Sequence, residues 1–353
     1  MDIEENDMTN IDKVLITGIS GMVGSHLADY IIENHPEVKI IGLIRWRYPD
    51  SNIKHLLDNE KLKDRLTLEY GDLTDYSSLN TIITKHKPNV IFHLGAQSYV
   101  DYSFIAPIAT LETNVIGTAN LLEAIKQLKF VDNYDPIVHI CSSSEVYGQV
   151  QESEIPIKET NQFRPASPYA VSKCGEDMLA LQYWLSWRIK TIRTRMFTHS
   201  GPRRGDVFAE SSFAKQIAAI EEEKQEPIIK VGNLDSVRTF LDVGDAVRAY
   251  WILVNKCSPG DVYNIGGNIT MTVGEMLNRL IKLSTMNNSN KLSKDIKVEV
   301  DPNRLRPSDV TMQIPDCSKF MNETGWKPTI NFNDTLKDLL NYWRNYYGGI
   351  KND

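Results

Sequence analysis

Tyr169-Ala170-Val171-Ser172-Lys173 carries a phenol and an ammonium four positions apart. Four residues make about one helical turn, so on a helix the two side chains share a face. A lysine ammonium near a phenol favours the phenolate and lowers the tyrosine pKa towards that of a useful base. Upstream, Ser142-Ser143-Ser144-Glu145 closes an apolar run. A Ser143 hydroxyl and the Tyr169 phenol could bracket one substrate oxygen, and redox chemistry at a carbinol needs only Ser, Tyr and Lys. Glu145 adds a carboxylate, the second proton-transfer group that elimination or epimerisation beside a new ketone requires. The plainer reading of Glu145 is a surface acid next to Tyr147, and of the serines a strand end.

Such chemistry needs a hydride carrier, and the N-terminal segment is built to hold one. Gly18-Ile19-Ser20-Gly21-Met22-Val23-Gly24 directly follows Lys13-Val14-Leu15-Ile16-Thr17 and opens a helical pattern. The three glycines supply a tight turn, close approach of backbone to a pyrophosphate, and close helix–sheet packing. The positive end of the helix then faces the phosphates. The second apolar run ends in Leu43-Ile44-Arg45-Trp46-Arg47. An acid there would hold the ribose of NAD, whereas an arginine suits the 2′-phosphate of NADP. NADP is therefore expected through Arg45, with Asp50 left as the acid that would favour NAD. Asp72, after a third apolar run, reads either as an adenine contact or as a helix N-cap.

These groups must be held by a parallel sheet. Lys13–Thr17, Lys39–Leu43, Asn89–His93 and Ile137–Cys141 are near-continuous apolar runs, the pattern of strands buried on both faces. Helical patterns over Val23–Glu33 and Ala106–Leu128 separate them, and Lys190–Arg195 continues the series. This rhythm predicts an α/β, doubly wound parallel sheet over residues 12–200. From Gly201 the rhythm breaks into a Pro202–Gly205 loop, a helix over Ser212–Lys224 and a turn-rich Val231–Asp235. A further helix opens at Thr272, where Thr272 and Glu275 have capping-box spacing, and runs to about Leu283. Asn287–Asn290 reads as an exposed loop. Residues 201–350 are thus expected to form a smaller substrate-binding domain, with some chain returning to the sheet.

Composition excludes several other functions. The 353 residues carry 39 Lys+Arg against 46 Asp+Glu, a net charge of −7, with no basic block to suit nucleic acid. No apolar run approaches the ~18 residues of a membrane span, and the acidic N-terminus is no signal peptide. Four scattered cysteines without Cys-x-x-Cys spacing fit reduced thiols in the cytoplasm. Seven histidines without an i, i+4 pair beside an acid suggest no metal site.

Together these features resemble an extended short-chain dehydrogenase/reductase acting on nucleotide sugars, closest to the GDP-mannose 4,6-dehydratases. The matches are Leu94–Val100, Ser144–Gly148, Ser167-Pro168-Tyr169, Phe197-Thr198-His199, Gly201–Gly205, Val231–Asp235, Arg304–Pro307 and Gly325–Pro328. The resemblance implies Ser143, Glu145, Tyr169 and Lys173 as catalytic. It implies a cofactor site completed by Leu73, Leu94, Ala96 and His199, and a sugar site that includes Ser98, Ser144 and Thr198. It also implies a GDP-diphosphate clamp of Arg238 and Arg306, with Lys215 and Arg203 nearby, so that an acidic chain gathers cations locally. Association through the Tyr169 helix and the Ala106–Leu128 helix is implied as well, as a homodimer or homotetramer, and Leu179, Leu181, Tyr183 and Trp184 fit an apolar stripe there. The departures are Ser143 where the dehydratases usually carry Thr, Thr198 for Asn, Ser200-Gly201 for Glu-Ser, and Thr239-Phe240, which resembles the related 4-keto-6-deoxymannose reductases. A GDP-sugar 4,6-dehydratase is expected, with a 4-reductase or an epimerase as alternatives and a non-catalytic NADP sensor as a remote one.

Overall fold

In the computed structural model, which describes residues 11–287 and 296–348, the apolar runs become neighbouring strands of one sheet. Its strands are β1 (Lys13–Thr17), β2 (Lys39–Ile44), β3 (Leu66–Tyr70), β4 (Val90–His93), β5 (Ile137–Ser143) and β6 (Lys190–Met196), with Val262–Ile265 added at one edge. The order across the sheet is Val262–Ile265, β6, β5, β4, β1, β2, β3, and every neighbouring pair is parallel. All four residues of β4 are buried, as expected for a strand covered on both faces. The chain winds outward from β1 through β2 and β3, then returns to build β4 to β6 on the other side. This reversal leaves a crevice at the carboxyl ends of β1 and β4, where open α/β sheets bind ligands.

The predicted Ala106–Leu128 helix is interrupted. It forms as Pro107–Leu111, a π-helical turn over Glu112–Ile116, and Gly117–Asp132. Pro107 cannot accept continuation from the preceding Val100–Ile105 helix, so a new helix starts there. Two other bounds shift. The Ser212–Lys224 prediction forms as Ala209–Glu221, and the Thr272 helix extends past Leu283 to Asn287. The capping box forms as read, with the Glu275 amide donating to Thr272 Oγ1 at 3.0 Å and the Thr272 amide to the Glu275 carboxylate at 2.8 Å. Beyond Asn287, the loop predicted to Asn290 lies outside the described residues.

After residue 200 a second core assembles. Val237–Asp242 pairs antiparallel with Ile269–Thr272 and parallel with Met312–Gln313. Against this small sheet pack the helices Ala209–Glu221, Val273–Asn287 and Phe332–Tyr347, through Phe213, Phe240, Met276, Phe332, Leu336 and Trp343. The chain also returns to the large sheet. Helix Val243–Lys256 buries Val247, Tyr250, Trp251 and Leu253 in the same cluster as Ile16, Ile31 and Phe92, and Phe320 and Trp326 join it.

Candidate active site

One cleft of about 1290 Å³ runs along the carboxyl ends of the large sheet and under the second core. Single-ligand pockets commonly span about 300–1,000 Å³, so this one has room for a dinucleotide and a second nucleotide together.

The cofactor end begins at the glycine loop. Gly18 has φ +72°, and a Cβ there would sit 2.8 Å from the Gly95 Cα. A Cβ on Gly24 would lie 2.3 Å from the Gly18 carbonyl oxygen, so the turn and the helix can approach only without side chains. Gly21 starts the Met22–Asn34 helix, and no side chain caps its first amides. Those donors face the cleft, which Gly18, Gly21, Met22, Val23 and Gly24 all line, and they form a ready site for a pyrophosphate. Arg45 is exposed at the rim just past β2, whereas Asp50 is not among the lining residues. Asp72 also lines the cleft, but it is not a helix cap. Its carboxylate accepts from the Thr74 amide at 2.9 Å, and Asp75 caps the Tyr76–His86 helix instead. Leu73, Leu94, Ala96 and His199 complete this wall. Burial holds His199 down at about 4, with Arg204 adding to the effect, so its ring is neutral near pH 7.

The loop after β4 is held from below by side chains that the sequence did not single out. Thr17 Oγ1 accepts from the Leu94 and Gly95 amides at 3.1 and 3.0 Å and contacts His93 Nδ1 at 2.9 Å. Asn114, fully buried in the π-helical turn, receives the Gln97 amide at 2.7 Å. It donates to the Gln97 carbonyl at 2.9 Å and to Ser172 Oγ at 2.8 Å. Asn114 therefore ties the cofactor loop to the helix Pro168–Trp187 that carries Tyr169 and Lys173.

At the centre of the cleft Ser143, Glu145, Tyr169 and Lys173 come together. Ser143 ends β5, and its hydroxyl oxygen accepts from the Glu145 amide at 3.2 Å, which caps the short turn Ser144–Tyr147. Lys173 Nζ lies 5.9 Å from the Tyr169 ring centre and donates to the Cys141 carbonyl at 3.0 Å. The phenol corrects one expectation: its pKa stands above the ordinary value rather than below it. Burial raises it, and the Lys173 charge and the Ser143 hydroxyl pull it back only in part, because Tyr169 is almost wholly buried. Glu145 is not a loose surface acid. Gln313 Nε2 donates to its carboxylate at 2.9 Å, while Gln313 Oε1 accepts from Ser144 at 3.0 Å.

The other end of the cleft is lined by Ser98, Ser144, Thr198, Arg238 and Arg306. Arg238 lies beside Gln313 on the neighbouring strand. Burial lowers its pKa against the pull of Glu145 and Asp309, its Nη2 standing 3.7 Å from Asp309. Arg306 binds Asp101 at 2.6 Å. Two arginines that the sequence reading passed over also line the cleft. Arg304 donates to Ser212 Oγ at 2.9 Å, and Arg204 stacks on Phe208 at 3.7 Å. Arg203 reaches the lining but is spent on Asp29 and His26 of the Met22–Asn34 helix. Lys215 does not line the cleft at all. It pairs with Asp206 at 2.6 Å and stands over Trp343 at 5.0 Å, because that face of its helix turns towards the Phe332–Tyr347 helix.

Comparison with known proteins places this site in a family. The profile of GDP-mannose 4,6 dehydratase matches residues 15–339, nearly the whole chain. The chain belongs to that family. It is 32% identical to the GDP-mannose 4,6-dehydratase of Yersinia enterocolitica over 349 residues, which cover 93% of this chain and 92% of that one. It is also 31% identical to the GDP-6-deoxy-D-mannose reductase of Pseudomonas aeruginosa, covering 94% and 97%. Among solved structures, RMD from Pseudomonas aeruginosa complexed with NADPH superposes with a TM-score of 0.78 at 29% identity, covering 95% of this chain and 99% of that one. The dTDP-glucose 4,6-dehydratase of Bacillus anthracis in complex with NAD gives a TM-score of 0.79 at 26% identity, covering 95% and 97%. Members of the family are enzymes, and the cleft is where their chemistry belongs. No helix among the described residues is long and apolar enough to cross a membrane.

Proposed function

We propose that this enzyme is a GDP-sugar 4,6-dehydratase that converts a GDP-mannose-like substrate to the GDP-4-keto-6-deoxy sugar. One observation carries the reading: a carboxylate, Glu145, is held by Gln313 beside the Ser143, Tyr169 and Lys173 set. Reduction of a ketone would leave such a carboxylate without a task, whereas elimination needs it. The glycine cradle and uncapped helix fit a dinucleotide, and Arg45 suits the 2′-phosphate of NADP. NADP bound there supplies the hydride acceptor at C4 and the hydride donor at C6, with no net consumption. Tyr169 takes the C4 hydroxyl proton, and Ser143 hydrogen-bonds the same oxygen. The resulting ketone acidifies the C5 proton, which Glu145 removes and passes to the departing C6 hydroxyl so that water leaves; after hydride return to C6, a solvent-exchanged proton at C5 completes the product. Arg238 and Arg306 balance the diphosphate.

Residues 12–200 would hold the cofactor and residues 201–350 most of the sugar nucleotide. Four free thiols favour a reducing cytoplasm. We assign a homodimer to the face of the Tyr169 helix that carries Val171, Met178 and Leu185, exposed at seven-residue spacing, beside exposed Ile108 and Ile116. This replaces the stripe of Leu179, Leu181, Tyr183 and Trp184, in which Leu179 packs on the core and Tyr183 is buried and bonded to Glu123.

The 4-reductase reading has support in the 31% identical reductase of Pseudomonas aeruginosa. Mass spectrometry of products from a panel of GDP-sugars separates the two. Loss of one water from GDP-mannose without NADPH build-up supports the dehydratase. Untouched GDP-mannose, with NADPH consumed on a 4-keto-6-deoxy sugar, replaces it with the reductase.

A further inference from the structure

Behind Lys173, away from the cleft lining, lies a carboxylate for which the reaction as drawn has no use. Glu176 Oε2 sits 2.9 Å from Lys173 Nζ, with the two side chains only 1% and 6% exposed. Its other oxygen, Oε1, is buried with no hydrogen-bond partner. The adjacent acid shows what a structural carboxylate in this helix looks like. Asp177 receives Arg193 at 3.0 Å and Arg195 at 2.9 and 3.2 Å, so both of its oxygens are satisfied. Among the described residues, the Glu176 carboxylate is hydrogen-bonded only to the lysine.

We infer that Glu176 is a positioning residue: its carboxylate keeps the buried Lys173 ammonium charged and aimed, so that Lys173 can act on the Tyr169 phenol. The inference rests on the proposed roles of Tyr169 and Lys173. Two of the three ammonium hydrogens are committed, one to Glu176 and one to the Cys141 carbonyl, which fixes where the third points. An ammonium this deeply buried gives up its proton unless an opposite charge compensates. Burial works to lower the Lys173 pKa, and Glu176 is the largest of the charges that instead raise it above its ordinary value. Burial also pushes Glu176 itself up to about 7 against the pull of Lys173, so the carboxylate is charged above neutral pH and throughout the range in which the phenol titrates.

The other groups around the pair do not compete near neutral pH. His93 on β4 and His139 on β5 are held at about 3, first by burial. The Cys141 thiol and the Tyr250 phenol, from the Val243–Lys256 helix, are pushed up by burial. Asp177 is bound by its two arginines.

Glu176 acts on Tyr169 electrostatically in two opposing ways. Its charge acts directly to raise the phenol pKa, and through Lys173 it lowers it. Contact at 2.9 Å makes the lysine route the stronger, since Coulomb energy falls with distance. The two routes give opposite signs when the charge is removed, so one titration decides. Tyr169 ionisation is read from tyrosinate absorbance of the full chain, as the difference between each protein and its Tyr169→Phe counterpart. In Glu176→Gln the lysine should lose its proton first, and the phenol midpoint should rise by about one pH unit or more. A midpoint that stays in place, or falls, overturns the inference. Should the Gln variant fail to fold, Glu176→Asp is read the same way: a smaller rise supports the inference and none overturns it. The readout needs no substrate, so a wild-type enzyme that leaves GDP-mannose untouched would defeat the proposed function and not this assignment.

Discussion

At the residue scale, the proposed chemistry depends on which side chains hold the reacting groups in place. Gln313 bridges Ser144 and Glu145 from a short strand that no motif marks out. Gln313→Ala frees the Glu145 carboxylate, and a catalytic group displaced by about 1 Å can cost on the order of 10²-fold. It should slow water elimination by roughly 10–10²-fold while the first hydride step continues, seen as transient NADPH absorbance in stopped flow; equal loss of both steps would contradict it. Arg45 stands exposed at the rim of the cleft, where the proposed NADP would place its 2′-phosphate. Arg45→Ala should lower the preference for NADP over NAD by about tenfold or more, and calorimetric titration with both cofactors checks this. That Ser143, Glu145, Tyr169 and Lys173 share one cleft with the glycine loop was legible because these residues sit in short, contiguous motifs. Gln313 was not, because it reaches Glu145 only through strand register across 168 positions of sequence. The placement of Lys215 against Asp206, outside the lining, was not legible because a cation near a cation-rich site looks alike on either face of a helix.

At the scale of elements, β1 begins and ends where its apolar run does, and the first helix within one residue of its pattern. Helix Pro107–Asp132 shows the limit of periodicity. The apolar pattern runs through the π-helical turn unbroken, although this turn is what aims Asn114 inward at Gln97 and Ser172. Removing that side chain leaves partly buried polar groups unpaired. Asn114→Ala should cost about 2–3 kcal/mol of stability, measured by denaturant unfolding. It should also weaken cofactor binding, since the Leu94–Gln97 loop loses its tether to the Tyr169 helix. Unchanged unfolding midpoints would show that the three bonds carry no weight.

For the whole molecule, the parallel sheet follows from patterns that the sequence displays, whereas the edge strand Val262–Ile265 and the small sheet of the second core come from pairings between distant segments, and the cleft lies where the two cores meet. What the pattern could not reveal is which apolar residues stay outside. Tyr183 and Leu185 look alike in a helical stripe, yet one is buried against Glu123 and the other is 60% exposed. The exposed face of Val171, Met178 and Leu185 is assigned to a second copy of the chain. Met178→Glu places a charge at its centre and should convert a dimer to a monomer in light scattering coupled to size exclusion; a wild-type monomer would remove the assignment. Whether Glu145 is the base at C5 is decided by the fate of the C5 hydrogen. GDP-mannose is turned over in D₂O and the product examined by NMR for deuterium at C5, for the wild type and for Glu145→Gln. The wild type should give a 4-keto-6-deoxy sugar labelled at C5, and the variant should oxidise C4, accumulate reduced cofactor and lose elimination by about 10²–10⁴-fold. A Gln variant that still eliminates water and labels C5 at the wild-type rate would contradict the account.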